Sequence, residues 1–216
     1  MRRRSRASRI VIVGALLIMV GSMLLGSFRS SPANAYFAGQ VDTTFTASTG
    51  QAYSLGVLSN GTVLVGYWSS VDQFTSAGVS TGVSTAYGGG ANTIQVTSSD
   101  KFYLGGGSGS ANLLRLNSNG TTDTAFPTNA ATSTTRYQDA IRIDSGGNVI
   151  TVNASSPHLY KFSSTGVKDA TFNTNVTAAP LGSEGYAIEL QSDGKILVGT
   201  SGGALKRYNT NGTLDA

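Results

Sequence analysis

One seven-residue motif constrains this chain more than any other feature. Gly-x-x-Asp-x-x-Phe occurs as Gly39-Asp42-Phe45, Gly120-Asp123-Phe126 and Gly166-Asp169-Phe172, and a fourth copy begins at Gly212 and Asp215. The last three glycines are 46 residues apart, and the first gap of 81 residues accommodates two units with a degenerate copy near Ser76 to Tyr87. A period of this length marks an array in which each unit is one supersecondary piece. Such a piece cannot bury its own faces and becomes stable by stacking on its neighbours.

A second pattern recurs once per unit, a turn flanked by short apolar runs. It reads VLSNGTVLVG (57–66), VTSSDKFYLGG (96–106), RIDSGGNVITV (142–152) and LQSDGKILVG (190–199). Asn60-Gly61, Gly146-Gly147 and Asp193-Gly194 are hairpin dipeptides, expected in tight primed turns where positive φ is needed; Ser99-Asp100 is the weak copy. The flanking runs are rich in Val, Ile, Leu, Tyr and Phe and read as strands. A further strand follows in three units, at Leu113–Asn117, Leu159–Ser163 and Leu205–Asn209, then a second turn and an Asp-x-x-Phe strand. About four short antiparallel strands per unit is the scale of one propeller blade. The expected fold is all-β: a β-propeller-like array of about four four-stranded antiparallel blades, either closed or an open, partial ring.

Arg115, Lys161 and Arg207 each stand eight residues before Asp123, Asp169 and Asp215. A three-residue turn such as Ser118-Asn119-Gly120 sets 117 opposite 121 and therefore Arg115 opposite Asp123. A cross-strand ion pair of this kind contributes roughly 0.2–1 kcal/mol. Because the pair follows the repeat instead of clustering, it reads as a structural strap rather than a ligand site.

Ahead of the repeats stands a basic start, MRRRSRASR, an apolar run from Ile10 to Phe28 and the small-residue site Ala33-Asn34-Ala35. This is the pattern of a bacterial secretory signal peptide, residues 1–35, cut after Ala35. The nineteen-residue run also has the length of a membrane span, so an uncleaved N-terminal anchor is the alternative. Both readings export the body, residues 36–216, which is then expected in the medium or at the cell surface. The leader holds six of the fifteen Lys and Arg and none of the eleven acids, so the body is near −2 rather than +4. With the leader removed there is no basic footprint for nucleic acid, and a membrane is met only through an uncleaved leader.

The repeat residues resemble the delta-60 repeat family, a bacterial β-propeller repeat of unknown function. LQSDGKILVG followed by KRYNTNGTLDA, and RLNSNGTTDTAF, carry the resemblance, which runs over about 39–216 and is weakest over 66–95. It implies an extracellular or surface propeller scaffold and transfers no activity to named residues. Members usually carry more than four units, so an open fragment of a longer propeller stands beside a closed four-blade ring.

Chemistry is sparse. With no Cys and one His, His158, the chain has no thiolate or His-cluster metal site. His158 lacks a recognisable partner for base catalysis. Glu184 and Glu189, or Asp139 and Asp144, are the carboxylates from which a glycosidase pair could be drawn. The glycine runs 88–90 and 105–107 lack the Lys-Ser/Thr of a phosphate loop and read as places where backbones approach closely. No cofactor, metal site or catalytic residue is expected. The unusual feature is Tyr67-Trp68 before a Ser/Gly/Thr-rich stretch, 69–90, read as a loop. Tyr67, Trp68 and Tyr87 are the candidate ligand contacts, for an extracellular protein or a carbohydrate, with core or blade-to-blade packing as the plain alternative. The expected role is a non-catalytic binding or structural module; an exported hydrolase with a loop-borne site is the alternative.

Overall fold

The computed structural model describes residues 44–45, 50–88, 90–106, 113–126, 138–154 and 156–215, with the backbone alone at 138–139. All belong to one compact unit, 43–216. The leader, the Ala33-Asn34-Ala35 site, Gly39 and Asp42 lie outside the described residues, as does the side chain of Asp139.

Four antiparallel sheets follow one another along the chain. Blade 1 holds β1 (Ser54–Val57), β2 (Val63–Gly66), β3 (Ser70–Phe74) and β4 (Ser80–Ala86). Blade 2 holds β5 (Thr93–Val96), β6 (Phe102–Gly105) and β7 (Leu114–Leu116). Blade 3 holds β8 (Gln138–Ile143), β9 (Val149–Asn153) and β10 (Leu159–Phe162), and blade 4 holds β11 (Gly185–Leu190), β12 (Ile196–Thr200) and β13 (Leu205–Tyr208). Each blade is a meander in chain order.

The hairpin turns fall where the sequence places them but differ in type. Leu58 N donates to the Thr62 carbonyl at 2.9 Å and Gly61 N to the Leu58 carbonyl at 2.9 Å, with Gly61 at φ +84°. Only one residue per turn has positive φ, so these are three-residue loops ending in a left-handed residue, not two-residue primed turns. Gly147 and Gly194 hold the same place, and in the weak copy Asp100 adopts φ +58° itself. Its carboxylate accepts Ser59 N at 2.7 Å, tying the blade 2 hairpin to that of blade 1.

The Asp-x-x-Phe segment is not a fourth strand. After the turns, single bridges Leu116–Thr122, Phe162–Lys168 and Tyr208–Leu214 form, and in blades 2 and 3 the pairing goes no further than the aspartate. The aspartate stops it. Asp123 Oδ1 accepts Ala125 N at 3.1 Å, and Phe126 N donates to the Asp123 carbonyl at 3.0 Å, turning the chain inward. Phe126 is then fully buried, edge-on to Tyr103 with centroids 5.2 Å apart. In blade 3 the same cap starts a helix, α1 (Ala170–Ala178): Asp169 Oδ1 accepts Phe172 N at 2.9 Å. An aspartate is a preferred N-cap because it satisfies an amide that has no intrahelical partner. Blade 1 lacks the motif at this point and does form the strand, so the stretch read as a loop after Trp68 is the β3–β4 hairpin.

Three cores lie at the three blade junctions. Leu64, Val71, Tyr87, Phe102, Leu104 and Leu116 fill the first. Tyr103, Leu113, Phe126, Ile141, Val149 and Phe162 fill the second. Ile150, Val152, Leu159, Ile188, Ile196 and Tyr208 fill the third, with Phe172 and Val176 of α1 as a plug. Among the described residues no core joins blade 4 to blade 1, so the array is open. Gly90 and Gly106 of the two glycine runs meet at the first junction: a Cβ on Gly106, at φ +123°, would lie 2.2 Å from the Gly90 carbonyl oxygen. No side chain fits there, as the close-approach reading of these runs requires.

Candidate functional site

The charged straps form at two of three places. Arg115 Nε donates to Asp123 Oδ2 at 2.6 Å, and Asp123 N donates to the Arg115 carbonyl at 2.9 Å, the register expected from the eight-residue spacing. A second cation, which the spacing argument missed, arrives from the hairpin: Lys101 Nζ reaches the same oxygen at 2.8 Å. Blade 4 repeats the arrangement with Arg207, Lys195 and Asp215. Blade 3 does not. Lys161 pairs with Asp144 at 2.9 Å and Asp169 caps α1. The cause is visible in the sequence: the position of Lys101 and Lys195 is Asn148, and a carboxylate, Asp144, stands where Thr97 and Gln191 stand in the other two. The Asn148 side chain and Lys161 both donate to Asp144.

The Arg115 strap also crosses a junction. Its Nη1 donates to Tyr103 Oη at 3.0 Å and to the Ser164 carbonyl of blade 3 at 2.6 Å, while the guanidinium lies 5.0 Å from the Phe126 ring centroid. Its Nε and Nη1 donors are thereby engaged beside the Asp123 counter-charge, which helps make an interior charge tolerable.

These contacts hold the carboxylates ionised. The Lys101 hydrogen bond, against the opposing effect of burial, pulls the Asp123 carboxyl below its ordinary value, with the Ala125 amide and Arg115 adding to it. Burial pushes Asp144 up, but hydrogen bonds from Asn148 and Lys161 outweigh it and the net direction is down. A folded-state value below the unfolded one gives stability that is present above about pH 4 and is lost as pH falls through the folded values. Urea midpoints are therefore expected to hold from neutral pH to about pH 5 and to drop steeply below the unfolded carboxylate value near 3.9. Asp123→Asn with Asp144→Asn should flatten that drop, and an unchanged acid limb would refute the assignment.

The candidate aromatic residues separate. Trp68 is 54% exposed and Tyr87 only 4%. Tyr87 packs in the first junction and donates to the Gly106 carbonyl at 3.3 Å. Its place at the end of β4 points it into the core, so it is no part of a surface site. Tyr67 and Trp68 do share a wall, joined by Tyr53, which the sequence did not mark. The Tyr53 and Trp68 rings lie 6.0 Å apart at 50°. With Gly50, Ser69, Ser70 and Asp72 they bound a shallow cleft of about 380 Å³. The Tyr67 hydroxyl is buried and has no hydrogen-bond partner among the described residues. Burial, then the Asp72 charge, pushes its phenol pKa up. Asp72 accepts Ser84 Oγ at 2.6 Å.

The other candidates are engaged structurally. His158 sits at φ +72° in the β9–β10 turn, with Nδ1 3.1 Å from the Asn153 carbonyl oxygen. Glu189 accepts Arg142 at 3.1 Å, and Glu184 accepts Tyr186 Oη at 3.2 Å. Among the described residues no group of three or more His, Asp or Glu is placed to hold a metal ion. Two further clefts, about 490 and 450 Å³, lie at the second and third junctions and are lined by repeat-equivalent positions, Arg115 with Ser164 in one and Lys161 with Thr210 in the other.

Residues 96–126 and 191–216 match the family model described as "Domain of unknown function (DUF5122) beta-propeller". These two stretches are similar to DUF5122 β-propeller repeats. They cover the turn, strap and Asp-x-x-Phe segments of blades 2 and 4. No curated protein matches the sequence. Solved structures match the propeller fold at low identity. A computationally designed protein, Ika4, aligns with TM-score 0.60 at 11% identity, over 78% of this chain and 98% of its own. The extracellular domain of a putative hybrid two-component system from B. thetaiotaomicron aligns at 0.58 and 12%, over 82% of this chain and 26% of its own. The WD40 β-propeller domain of Doa1 aligns at 0.55 and 14%, over 80% and 54%. The chain thus spans about half or less of the two natural proteins.

Proposed function

We propose that this propeller is exported and acts outside the cell or at its surface as a non-catalytic binding module, with the Tyr53–Tyr67–Trp68 wall as its contact surface for carbohydrate. The observation that carries the reading is the exposed Trp68 beside Tyr53 over a shallow cleft that also holds Ser69, Ser70 and Asp72. A sugar ring offers an apolar face to aromatic rings and hydroxyls to acceptors such as a carboxylate, and this wall supplies both. The leader supports export, and the engagement of Glu184, Glu189 and Asp144 with neighbouring donors supports a scaffold over a hydrolase.

Trp68 is the sole Trp, so its fluorescence reports on the site directly. Titration with a panel of bacterial and plant oligosaccharides is expected to shift or quench that emission for at least one class. Loss of an aromatic anchor from a binding surface commonly costs 2 kcal/mol or more. Trp68→Ala should therefore weaken binding by about thirtyfold, and Trp68→Phe, which keeps an aromatic ring, by less, measured calorimetrically, with the β-type circular dichroism retained. Binding unchanged in both variants would reject the wall as the site.

A further inference from the structure

The strand registers allow equivalent positions to be followed through all four blades. Opposite Gly66, Val152 and Gly199 of the second strands stand Val71, Leu159 and Leu205, and in blade 2 Leu113, just before the Leu114 that pairs with Leu104, holds the same place. Val71, Leu113 and Leu159 are 1%, 0% and 0% exposed, each packed at a junction with the next blade, whereas Leu205 is 74% exposed. Two residues on come Gln73, Arg115, Lys161 and Arg207. Gln73 Nε2 donates to the Ser118 carbonyl of blade 2, and Arg115 to the Ser164 carbonyl of blade 3. Arg207 has its intrablade partner, Asp215, but its side chain is 44% exposed. A Cβ on Gly66 would lie 2.7 Å from the Ala91 carbonyl oxygen across the first junction, whereas one on Gly199 meets only Ala187, at 3.8 Å. The far face of blade 4 is therefore built as a junction face.

The near face of blade 1 is the other half. Its first strand carries Leu55 and Val57 where blade 3 carries Ile141 and Ile143 and blade 4 carries Ile188 and Leu190. Ile141 and Ile188 are 0% and 3% exposed, Leu55 65% and Val57 59%. Blade 1 also supplies the acceptor. Its turn Thr75-Ser76-Ala77-Gly78 has the hydrogen bonds of the turns at 117–121 and 163–167, Thr75 N to the Val79 carbonyl at 2.8 Å and Gly78 N to the Thr75 carbonyl at 2.9 Å. Ser76 thus holds the place of Ser118 and Ser164, whose carbonyls accept the crossing donor at the first two junctions.

We infer that these two faces join head to tail between two copies of the chain, Leu205 packing on Leu55 and Val57, and Arg207 donating to the Ser76 carbonyl. Its apolar packing is what the chain already makes at three junctions and its crossing hydrogen bond what it makes at two, and both halves are present on one open array. Two copies joined at both ends form an eight-bladed ring, within the four to eight blades of known propellers. Each contact is heterologous, and the two-fold operation closes the ring instead of propagating a filament.

The chain has no Cys, so cysteines can be placed at will. Full-length Leu55→Cys and Leu205→Cys chains, mixed and treated with a short bis-maleimide, are expected to cross-link as a heterodimer, with little product from either alone. Native mass spectrometry of the full chain should give a dimer. Leu205→Glu should raise its dissociation constant by about tenfold or more, the loss expected for a central interface contact. Leu205 is exposed within one chain, so this variant keeps its fold, checked by circular dichroism. A monomer at micromolar concentration would overturn the inference, because a neighbouring blade would then have to come from elsewhere. So would cross-linking within one chain in a Leu55→Cys/Leu205→Cys variant, homotypic cross-links of equal yield, or a dimer indifferent to Leu205→Glu, which would place the association elsewhere.

Discussion

Asp123→Ala is expected to cost about 3 kcal/mol, because it leaves a buried guanidinium without its counter-charge. Arg115 and Asp123 side chains are only 11% and 6% exposed. Lys101, at 37%, relaxes into water and holds the loss at the low end of the range for broken buried pairs. The arginine keeps its bonds to Tyr103 and to the Ser164 carbonyl, so the second junction loosens without losing its apolar core. Asp169→Ala, at the same repeat position, should cost about 0.5–2 kcal/mol, the loss of a helix cap. Asp215→Ala should have the smallest effect of the three, since solvent already reaches both of its cations. Denaturant midpoints of the three variants give the order. Equal losses would restore the uniform strap suggested by the eight-residue spacing and refute the helix-cap assignment.

Leu113→Ala and Leu159→Ala should each destabilise by about 2–5 kcal/mol, since each removes a fully buried side chain from a junction core. Within that range the larger loss falls on Leu159. Its core also receives α1, whose Phe172 and Val176 are fixed by the helix and cannot collapse readily into the space left behind. Leu205→Ala occupies the same register position, yet within one chain it should change stability by less than about 0.5 kcal/mol. Measured by urea unfolding at low protein concentration, where the chain is a single copy, the contrast tests whether position in the array or residue type sets the cost. At high concentration Leu205→Ala should begin to destabilise, because a linked association stabilises the folded state by mass action. A large loss at low concentration would mean that blade 4 already has a neighbour.

The repeat itself was legible in residues. The hairpins at 57–66, 96–106, 142–152 and 190–199, the third strands and the facing of Arg115 and Asp123 follow from spacing, turn chemistry and the two-residue period of a strand. What followed the second turn was not legible as written. Asp-x-x-Phe alternates like a strand, but the aspartate side chain takes up the next backbone amides more locally than a fourth strand would. The same cap closes a turn at Asp123 and starts a helix at Asp169.

The candidate site was half legible. Trp68 stood out by rarity, while its exposure was set by the tertiary structure. Tyr87 and Tyr53 could not be sorted by sequence, because an aromatic beside polar residues looks the same whether the hairpin aims it inward or outward.

The sequence alone determined the unit: its length, its strands, its turns and the local pairs, all set by interactions within about a dozen residues. Tertiary structure decided the fate of equivalent residues. Leu113, Leu159 and Leu205 are the same residue at the same place in three repeats, and only the presence of a following blade buries the first two. Arg115 becomes a junction cation and Arg207 a surface one for the same reason. A repeat fixes which surfaces are able to pack, while burial, and with it the energy, depends on whether a neighbour is there.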